Sequence, residues 1–316
     1  MELQTKLPLK PQQLNQIDYY SKIALFGSCF SEHIADKFEY YKFQKFNNPF
    51  GILFHPLAIE NLIINAINEK QYTEEDIFFK NEQWHCFEAH SKLSKALKAD
   101  LLETLNTQVK ATNDVLTEAT HIVVTLGTAW AYRQIKTDMF VANCHKVPQK
   151  QFLKELLSID TIVESLEAIV SMVRSINPKV NILFTVSPVR HIKDGFVENT
   201  QSKSHLISAI HQVVDHRTQL YYFPSYEIML DELRDYRFYK EDMLHPNALA
   251  VNYIWDCFHS VWISEAAHST MEDVEQVQKG LKHNAFNSKS DAHQLFIQKL
   301  RDKELQLQSV FKHIQF

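Results

Sequence analysis

Short apolar runs, separated by longer stretches of helical spacing, set the pattern of this chain. The runs with strand character are residues 23–26, 42–46, 121–126, 180–186 and 220–223. The run at 121–126 is rich in β-branched residues, and several of the others stop at a glycine, serine or proline, which is typical of buried strands. Strands that alternate with helices imply a parallel sheet covered on both faces. The pattern therefore predicts an α/β fold of three layers, α/β/α, with a mostly parallel sheet of about five strands.

The stretches between these runs carry apolar residues three or four positions apart, which is the spacing of one helical face. Helices are predicted at residues 31–41, 55–67, 95–117, 151–176 and 199–217, and from Pro246 onward. From residue 266 the chain is charged and helix-favouring, so we expect a main domain at residues 1–265 and a helical C-terminal extension at 266–316. The apolar positions of that extension either pack on their own domain, mediate a homodimer or cover the functional site; packing is the commonest role of such a face.

The composition excludes several classes of protein. A net charge of −5 leaves no basic surface, so we predict no nucleic-acid partner. No run of about 18 apolar residues is present, and residues 1–16 lack the apolar segment of a signal peptide, so no membrane association is expected. The four cysteines are unclustered and lack the paired spacing of zinc sites or disulfide frameworks. We therefore expect a cytoplasmic protein with no metal and no cofactor.

The turn Gly27-Ser28-Cys29-Phe30 is the first candidate for chemistry. It joins the end of a predicted strand to the start of a predicted helix. Such a corner places a nucleophile near the backbone N–H groups of a helix N-terminus, which stabilise developing negative charge and favour a thiolate. The alternative is structural, with Ser28 as a helix cap and Cys29 as a small buried apolar residue.

The segment from Asp242 to His245 is the second candidate. A carboxylate that binds one imidazole nitrogen fixes the tautomer and leaves the other nitrogen free to accept a proton. Alternatively, His245 merely precedes a helix that begins at Pro246, and Asp242 belongs to a surface turn. Short Asp-x-x-His strings occur often by chance, so the signal depends on its combination with the first turn.

A nucleophile after the first strand and Asp-x-x-His after the last match the layout of the SGNH (GDSL-like) hydrolases. Gly27-Ser28-Cys29-Phe30 resembles the signature of the GSCFA family, a bacterial branch of that superfamily. Further stretches resemble the same family: residues 48–52 (NPFGI), 125–128 (TLGT), 141–148 (VANCHKVP), 185–190 (TVSPVR) and 242–246 (DMLHP). The resemblance covers residues 20–260, and the family's usual alanine after GSCF is Ser31 here.

The resemblance implies an SGNH-type, flavodoxin-like sheet and an ester-cleaving or acyl-transfer reaction. Against the superfamily's G-D-S turn, Cys29 takes the place of the nucleophilic serine, with Ser28 as the alternative nucleophile. Gly51 would supply a backbone N–H to the oxyanion. Ala129 stands where the superfamily carries an oxyanion-binding asparagine, so that donor is missing and Asn143 is a candidate substitute.

Three more residues are candidates for contact with the oxyanion or the substrate, namely Gly127, His145 and Arg190. Ligands of parallel sheets bind beyond the carboxyl ends of the strands, where Gly127 and Arg190 lie in the sequence. Arg190 either clamps an anionic group of the substrate through two hydrogen bonds or forms a surface salt bridge. Residues 85–90 alternate His, Cys, Glu and His in a manner that suits a metal, but no companion ligand is evident.

The sequence therefore predicts a hydrolase or acyltransferase in which Cys29 or Ser28 attacks an acyl carbonyl, His245 acts as base and then acid, and Asp242 orients His245. The substrate would be an O-acylated carbohydrate or another small ester. A non-catalytic ligand-binding protein on a degenerate hydrolase scaffold is the alternative from another class. Metal-assisted hydrolysis by some of the many histidines is a third possibility.

Overall fold

The computed structural model of the chain describes residues 4–283 and 290–316. The strands are β1 (Lys22–Gly27), β2 (Gln44–Asn47), β3 (Ile77–Lys80), β4 (Gln83–Cys86), β5 (His121–Leu126), β6 (Trp130–Gln134), β7 (Met139–Val141), β8 (Phe152–Leu156), β9 (Asn181–Val186) and β10 (Leu220–Phe223). The helices are α1 (Cys29–Tyr40), α2 (Pro56–Ile67), α3 (Lys98–Glu118), α4 (Ile159–Ile176), α5 (Phe196–Val213), α6 (Ser225–Glu227, continued by a π-helical turn at Ile228–Glu232), α7 (Ala248–Trp262), α8 (Glu265–Leu281) and α9 (Asp291–Val310).

The central sheet has five strands in the order β2-β1-β5-β9-β10, and every neighbouring pair is parallel. Counted along the chain, this is the 2-1-3-4-5 order of flavodoxin-like folds. All five predicted strands are found in it. The predicted three-layer α/β fold with a parallel sheet is therefore confirmed, and the carboxyl ends of all five strands lie at one edge.

Successive side chains of a strand point to opposite faces, and β1 shows how this builds the layers. Ala24 and Phe26 are buried in one apolar cluster with residues of α2 to α5. Ile23 and Leu25 are buried in a second cluster with residues of α1, α7, α8 and α9. Because both faces of the strand are covered, its sequence is a continuous apolar run rather than an alternating one.

Two smaller antiparallel sheets were not predicted, and one predicted helix is too long. β3 pairs with β4, while β6 pairs with both β7 and β8. The prediction of a helix from residue 151 is wrong at its start, because β8 occupies Phe152–Leu156 and Ser158 caps α4 by accepting from the Thr161 N–H at 3.0 Å. Likewise α7 begins at Ala248 rather than at Pro246, because the Asn247 side chain caps it.

The C-terminal helices pack on the rest of the protein. Met271 and Val274 of α8 and Leu307 of α9 are buried in the same cluster as α1 and α7. Residues 284–289 of the predicted extension lie outside the described residues. The homodimer through these helices stays a prediction. Among the helices in the described ranges, none is both long and apolar enough to cross a bilayer.

Candidate active site

The turn after β1 is set by the backbone of the neighbouring strand β5. Gly27 has φ +132°, and a Cβ added there would lie 2.1 Å from the carbonyl oxygen of Thr125. The next residue, Ser28, donates its N–H to the same oxygen at 3.0 Å. Only glycine fits this left-handed, close approach, so Gly27 fixes where β1 ends and α1 begins.

The two nucleophile candidates of this turn have different environments. Ser28 is fully buried and caps α1, with its Oγ accepting from the Phe30 N–H at 3.3 Å. Cys29 is the first residue of α1 and is only half-buried. Within the described residues, no oxygen accepts a hydrogen bond from the Cys29 N–H. The structural interpretation thus fits Ser28, whereas Cys29 has the accessible thiol at a helix N-terminus.

Several charges and dipoles act on the Cys29 thiol. Burial, followed by the carboxylate of Glu32, raises its pKa. Lys203 and the backbone N–H groups of Cys29 and Phe30 have the opposite, smaller effect and lower the pKa of the thiol. Because the net pKa is raised, the resting thiol is protonated near neutral pH, and a reaction through the thiolate needs a base.

Asp242 and His245 form the expected pair. The Asp242 Oδ2 lies 2.6 Å from the His245 Nδ1, and the Asp242 Oδ1 accepts from the N–H groups of Leu244 and His245 at 2.9 and 3.0 Å. These backbone donors, followed by the histidine side chain, lower the pKa of Asp242 to about 2. An ionised Asp242 holds the proton of His245 on Nδ1, so Nε2 is left as the basic nitrogen.

Arg190 holds the segment that carries this pair. Its Nη2 donates to the Met243 carbonyl at 2.7 Å, and its backbone N–H donates to the Leu244 carbonyl at 3.3 Å. Its guanidinium carbon lies 4.7 Å from the centre of the Tyr239 ring. The guanidinium thus binds the protein's own loop through Nη2, while its buried Nε has no partner among the described residues, and the expected clamp on a substrate anion stays a prediction.

The segment of His245 lies at the carboxyl edge of the sheet, because Arg190, four residues after β9, donates its N–H to the Leu244 carbonyl. His33 is one turn after Cys29 and therefore a neighbour on the same face of α1. Burial, then Lys240, lowers the pKa of His33, and His245 acts in the same direction. The two far-separated segments thus lie at one edge of the sheet. Within the described residues, the His245 ring is hydrogen-bonded to Asp242 and not to Cys29 or Ser28.

The backbone N–H groups of Gly51 and Gly127 form hydrogen bonds within the protein. The Gly51 N–H donates to the Asn48 carbonyl at 2.8 Å, so its expected role as an oxyanion donor is corrected. A Cβ at Gly51 would lie 2.6 Å from the Cβ of His90. The Gly127 N–H is likewise taken, by the Phe54 carbonyl at 2.8 Å. Both glycines permit close packing at the carboxyl edge rather than offering a free N–H.

Asn143 and His145 belong to a neighbouring loop. The Asn143 Oδ1 accepts from the His145 N–H at 2.8 Å. His145 is buried, and its Nε2 lies 2.7 Å from the Cys86 carbonyl. Burial lowers the pKa of His145 to about 4, so the ring is neutral and donates to this carbonyl. His145 fixes its loop, and no contact within the described residues joins Asn143 to Cys29.

A cavity of about 510 Å³ opens beside this loop and reaches Thr128, just after the carboxyl end of β5; neither Cys29 nor His245 is among the residues that line it. Its lining includes Trp130, Tyr132, Asn143 and His191. Burial, then the charges of Lys203 and His245, lowers the pKa of His191 to about 3, so the ring is neutral. His191 lines the cavity and lies against Gly127, where an added Cβ would be 3.3 Å from its Nε2, and this buried Nε2 has no hydrogen-bond partner among the described residues.

The side chains of residues 85–90 are occupied by protein partners. The His85 Nδ1 lies 2.6 Å from the Ser94 Oγ, and Glu88 accepts from Lys70 at 3.0 Å and from Tyr72. Across the described ranges, no group of three or more His, Cys, Asp or Glu side chains is placed to hold a metal.

Lys203 is a site residue that the sequence analysis missed. Its side chain is 1% exposed, and its Nζ donates to the carbonyls of Gly127 and Ser187 at 2.7 and 2.8 Å. The signal was present, because Lys203 falls three and seven positions before Leu206 and Ile210, on the apolar face of α5. A lysine on the buried face of a helix is unusual enough to mark a candidate site.

Two solved structures of low similarity match most of the chain. One is a carbohydrate esterase family 3 protein from Talaromyces cellulolyticus (8% identity, TM-score 0.37, covering 81% of this chain and 98% of that one). The other is a mutant acetyl esterase with acetate ion (9% identity, TM-score 0.37, covering 80% of this chain and 99% of that one).

No curated protein sequence matches this chain. The sequence profile of the GSCFA family matches residues 22–258, which include both segments of the candidate site. Since the match spans well over half of the chain, the chain belongs to the GSCFA family.

Proposed function

We propose that this protein is an acyl hydrolase or acyltransferase in which Cys29 attacks the acyl carbonyl of an ester. The 2.6 Å contact between Asp242 and His245 carries the proposal, because it gives a histidine of fixed tautomer at the sheet edge where Cys29 begins α1. Family membership supports the same class of chemistry. The cap role of Ser28 favours Cys29 as the nucleophile.

The proposed reaction has two half-reactions. The Nε2 of His245 takes the thiol proton of Cys29 while Sγ bonds to the acyl carbon, and the carbonyl π electrons move to oxygen. When the tetrahedral intermediate collapses, the ester C–O bond breaks and His245 returns its proton to the leaving oxygen. Water or another hydroxyl then attacks the thioester, loses its proton to His245 and releases the Cys29 thiol.

Charge on the carbonyl oxygen requires donors aimed at it. The free N–H of Cys29, at the positive end of α1, is the donor that the described residues offer. Ala129 stands where the superfamily has an asparagine, and its own N–H is bound by Ser202 at 2.7 Å. Loss of one such donor typically costs about 10² to 10³ in rate, which the stronger nucleophilicity of a thiolate partly offsets.

The cavity near the carboxyl end of β5 supports a small, polar ester as the substrate. Aromatic rings of Trp130 and Tyr132 line it together with the amides of Asn143 and Gln149. Flat apolar faces combined with a few polar groups suit a sugar-sized ligand, and about 510 Å³ is sufficient volume for one. An O-acylated carbohydrate is therefore the substrate class that we propose to test first.

Turnover of a panel of activated esters and thioesters tests the proposal. Cys29→Ala and His245→Ala should each abolish turnover, whereas Cys257→Ala, which changes another half-buried cysteine, should not. Ser28→Ala removes a cap, so it should cost about 1 kcal/mol of stability and retain turnover. Wild-type rates in both the Cys29 and His245 variants would refute the assignment.

The second candidate function is ligand binding without catalysis. The absent asparagine at Ala129 and the raised pKa of the Cys29 thiol favour it. A wild-type protein that turns over no member of the panel, yet binds an acylated sugar in calorimetry, would support this function instead.

A further inference from the structure

Lys203 is buried without a carboxylate. Its ammonium donates to the carbonyls of Gly127 and Ser187, and within the described residues no Asp or Glu forms an ion pair with it. Two carbonyls compensate the burial of an ammonium ion only in part, so the arrangement is unfavourable for stability. An unfavourable burial of this kind points to a function of the Lys203 ammonium in the candidate active site.

The register of the sheet places this charge next to the turn that carries the thiol. The pairs Gly27↔Thr125 and Thr125↔Thr185 join the ends of β1, β5 and β9 in one row. The residues two positions further along the three segments are Cys29, Gly127 and Ser187. Lys203 therefore binds the chain just after the carboxyl ends of β5 and β9, and β1, the other neighbour of β5, ends two residues before Cys29.

We propose that Lys203 is the buried counter-charge of Cys29, a positioning residue whose ammonium stabilises the thiolate when the proton leaves Sγ. The proton passes to His245, while Lys203 keeps its own protons and no bond to it forms or breaks. The same ammonium ties together the ends of β5 and β9, so that the charge is held still while the reaction proceeds.

The ionisation behaviour of the neighbouring groups agrees with this role. Burial lowers the pKa of Lys203 to about 7, and Cys29 acts in the opposite direction. Burial and Glu32 raise the pKa of the thiol, and Lys203 lowers it. The other rings that face the ammonium are His191, which burial keeps neutral, and Tyr226, whose ring centre lies 5.5 Å from Nζ.

Alkylation of the full-length protein by iodoacetamide between pH 6 and 10, read at each cysteine by peptide mass spectrometry, tests the proposal. In Lys203→Met and in Lys203→Gln, the alkylation rate of Cys29 should fall about tenfold at pH 6 to 7, where Lys203 carries its proton, which corresponds to a shift of about one unit in the pKa of the thiol. Cys144 in the same samples is an internal control, since the charge that acts on it is Lys193. Lys70→Met, which removes another partly buried lysine, should leave the Cys29 profile unchanged. An unchanged Cys29 profile in a folded Lys203 variant overturns the proposal and leaves Lys203 a tie between strand ends.

A second variant keeps the test decisive if both Lys203 variants fail to fold. Cys29→Ser changes one atom and removes the ionisable thiol. In protein labelled with ¹³C at the lysine ε-carbons, NMR should show a buried lysine whose titration midpoint falls in Cys29→Ser; an unchanged midpoint overturns the proposal. The inference rests on the proposed function only in naming Cys29 as the nucleophile. Because neither measurement uses an acyl substrate, a failure here is distinguishable from an absence of esterase activity.

Discussion

Replacing Lys203 by methionine should change how the stability of the protein depends on pH. The folded-state pKa of Lys203 is lowered to about 7 by burial, whereas an unfolded lysine titrates near 10.5. Below pH 7 Lys203 is protonated in both the folded and the unfolded protein, so the burial of its charge lowers the free energy of unfolding by the full amount. Between about pH 7 and 10.5 the unfolded chain binds one proton more than the native protein, so the native state gains stability as the pH rises.

The magnitude follows from that single proton. One proton corresponds to about 1.4 kcal/mol per pH unit, and Lys203 is half-titrated at pH 7, so the free energy of unfolding of the wild type should rise by about 2.3 kcal/mol from pH 7 to 9, relative to Lys203→Met. Cysteines and tyrosines with raised pKa values oppose this rise in both proteins, and the contributions of those that Lys203 does not affect cancel in the difference. Lys203→Met also leaves the two carbonyls without a donor. This adds a constant to the difference in free energy of unfolding between the two proteins and does not change how that difference depends on pH.

Urea unfolding at pH 7, 8 and 9, extrapolated to water, measures the difference. Lys70→Met is the matched control. Burial works to lower the pKa of Lys70, but Glu88 and Asp76 raise it, so its proton stays bound throughout this range and no slope is expected. A difference between wild type and Lys203→Met that is the same at all three pH values would refute the description of Lys203 as a buried, titrating charge.

Three further changes test other parts of the structure. Gly27→Ala should destabilise the protein by about 3 kcal/mol or more in urea unfolding, because the new methyl group meets the Thr125 carbonyl and the backbone is left-handed. Asp242→Asn should keep the fold but lower kcat about 10³-fold on any ester that the wild type turns over, because the His245 tautomer is no longer fixed. Leu307→Ala should cost about 2 to 5 kcal/mol in thermal or urea unfolding, because its side chain is buried against the domain.

Each of these changes has a control nearby. Leu305→Ala, on the exposed side of α9, should cost little, and equal losses at positions 305 and 307 would contradict the packing of that helix. Asp235→Asn alters a similar cap, which accepts from the Arg237 N–H at 2.8 Å, and should leave kcat unchanged. If Gly27→Ala unfolded within about 0.5 kcal/mol of the wild type, the tight β1–β5 contact would be wrong.

The sheet could be predicted because its strands are covered on both faces. Residues 121–126 and 181–186 are largely apolar runs, all of whose residues are buried, and each is followed by residues that break a strand, Gly127 in one case and Ser187-Pro188 in the other. Strand β8 could not be predicted in the same way. Its sequence, FLKEL, consists largely of helix-favouring residues, and the pairing with β6 overrides that preference.

The part of the site that lies within one short sequence motif could be predicted. Asp242 and His245 are three positions apart, so their contact depends mainly on one turn. Lys203 and Arg190 depend on contacts between distant segments. Lys203 reaches carbonyls at the ends of β5 and β9, and Arg190 reaches the carbonyl of Met243. No spacing in the sequence shows which oxygen atoms a long basic side chain will meet.

The covalent intermediate is the most direct test of the central claim that Cys29 and the Asp242–His245 pair act as one acyl-transfer centre. The protein would be mixed with an activated acetyl ester, quenched in acid during turnover and digested for peptide mass spectrometry. We expect one acetyl group on Cys29 in the wild type and none on that residue in His245→Ala. Steady turnover with the acetyl group on Ser28, or with neither residue modified, would contradict the account.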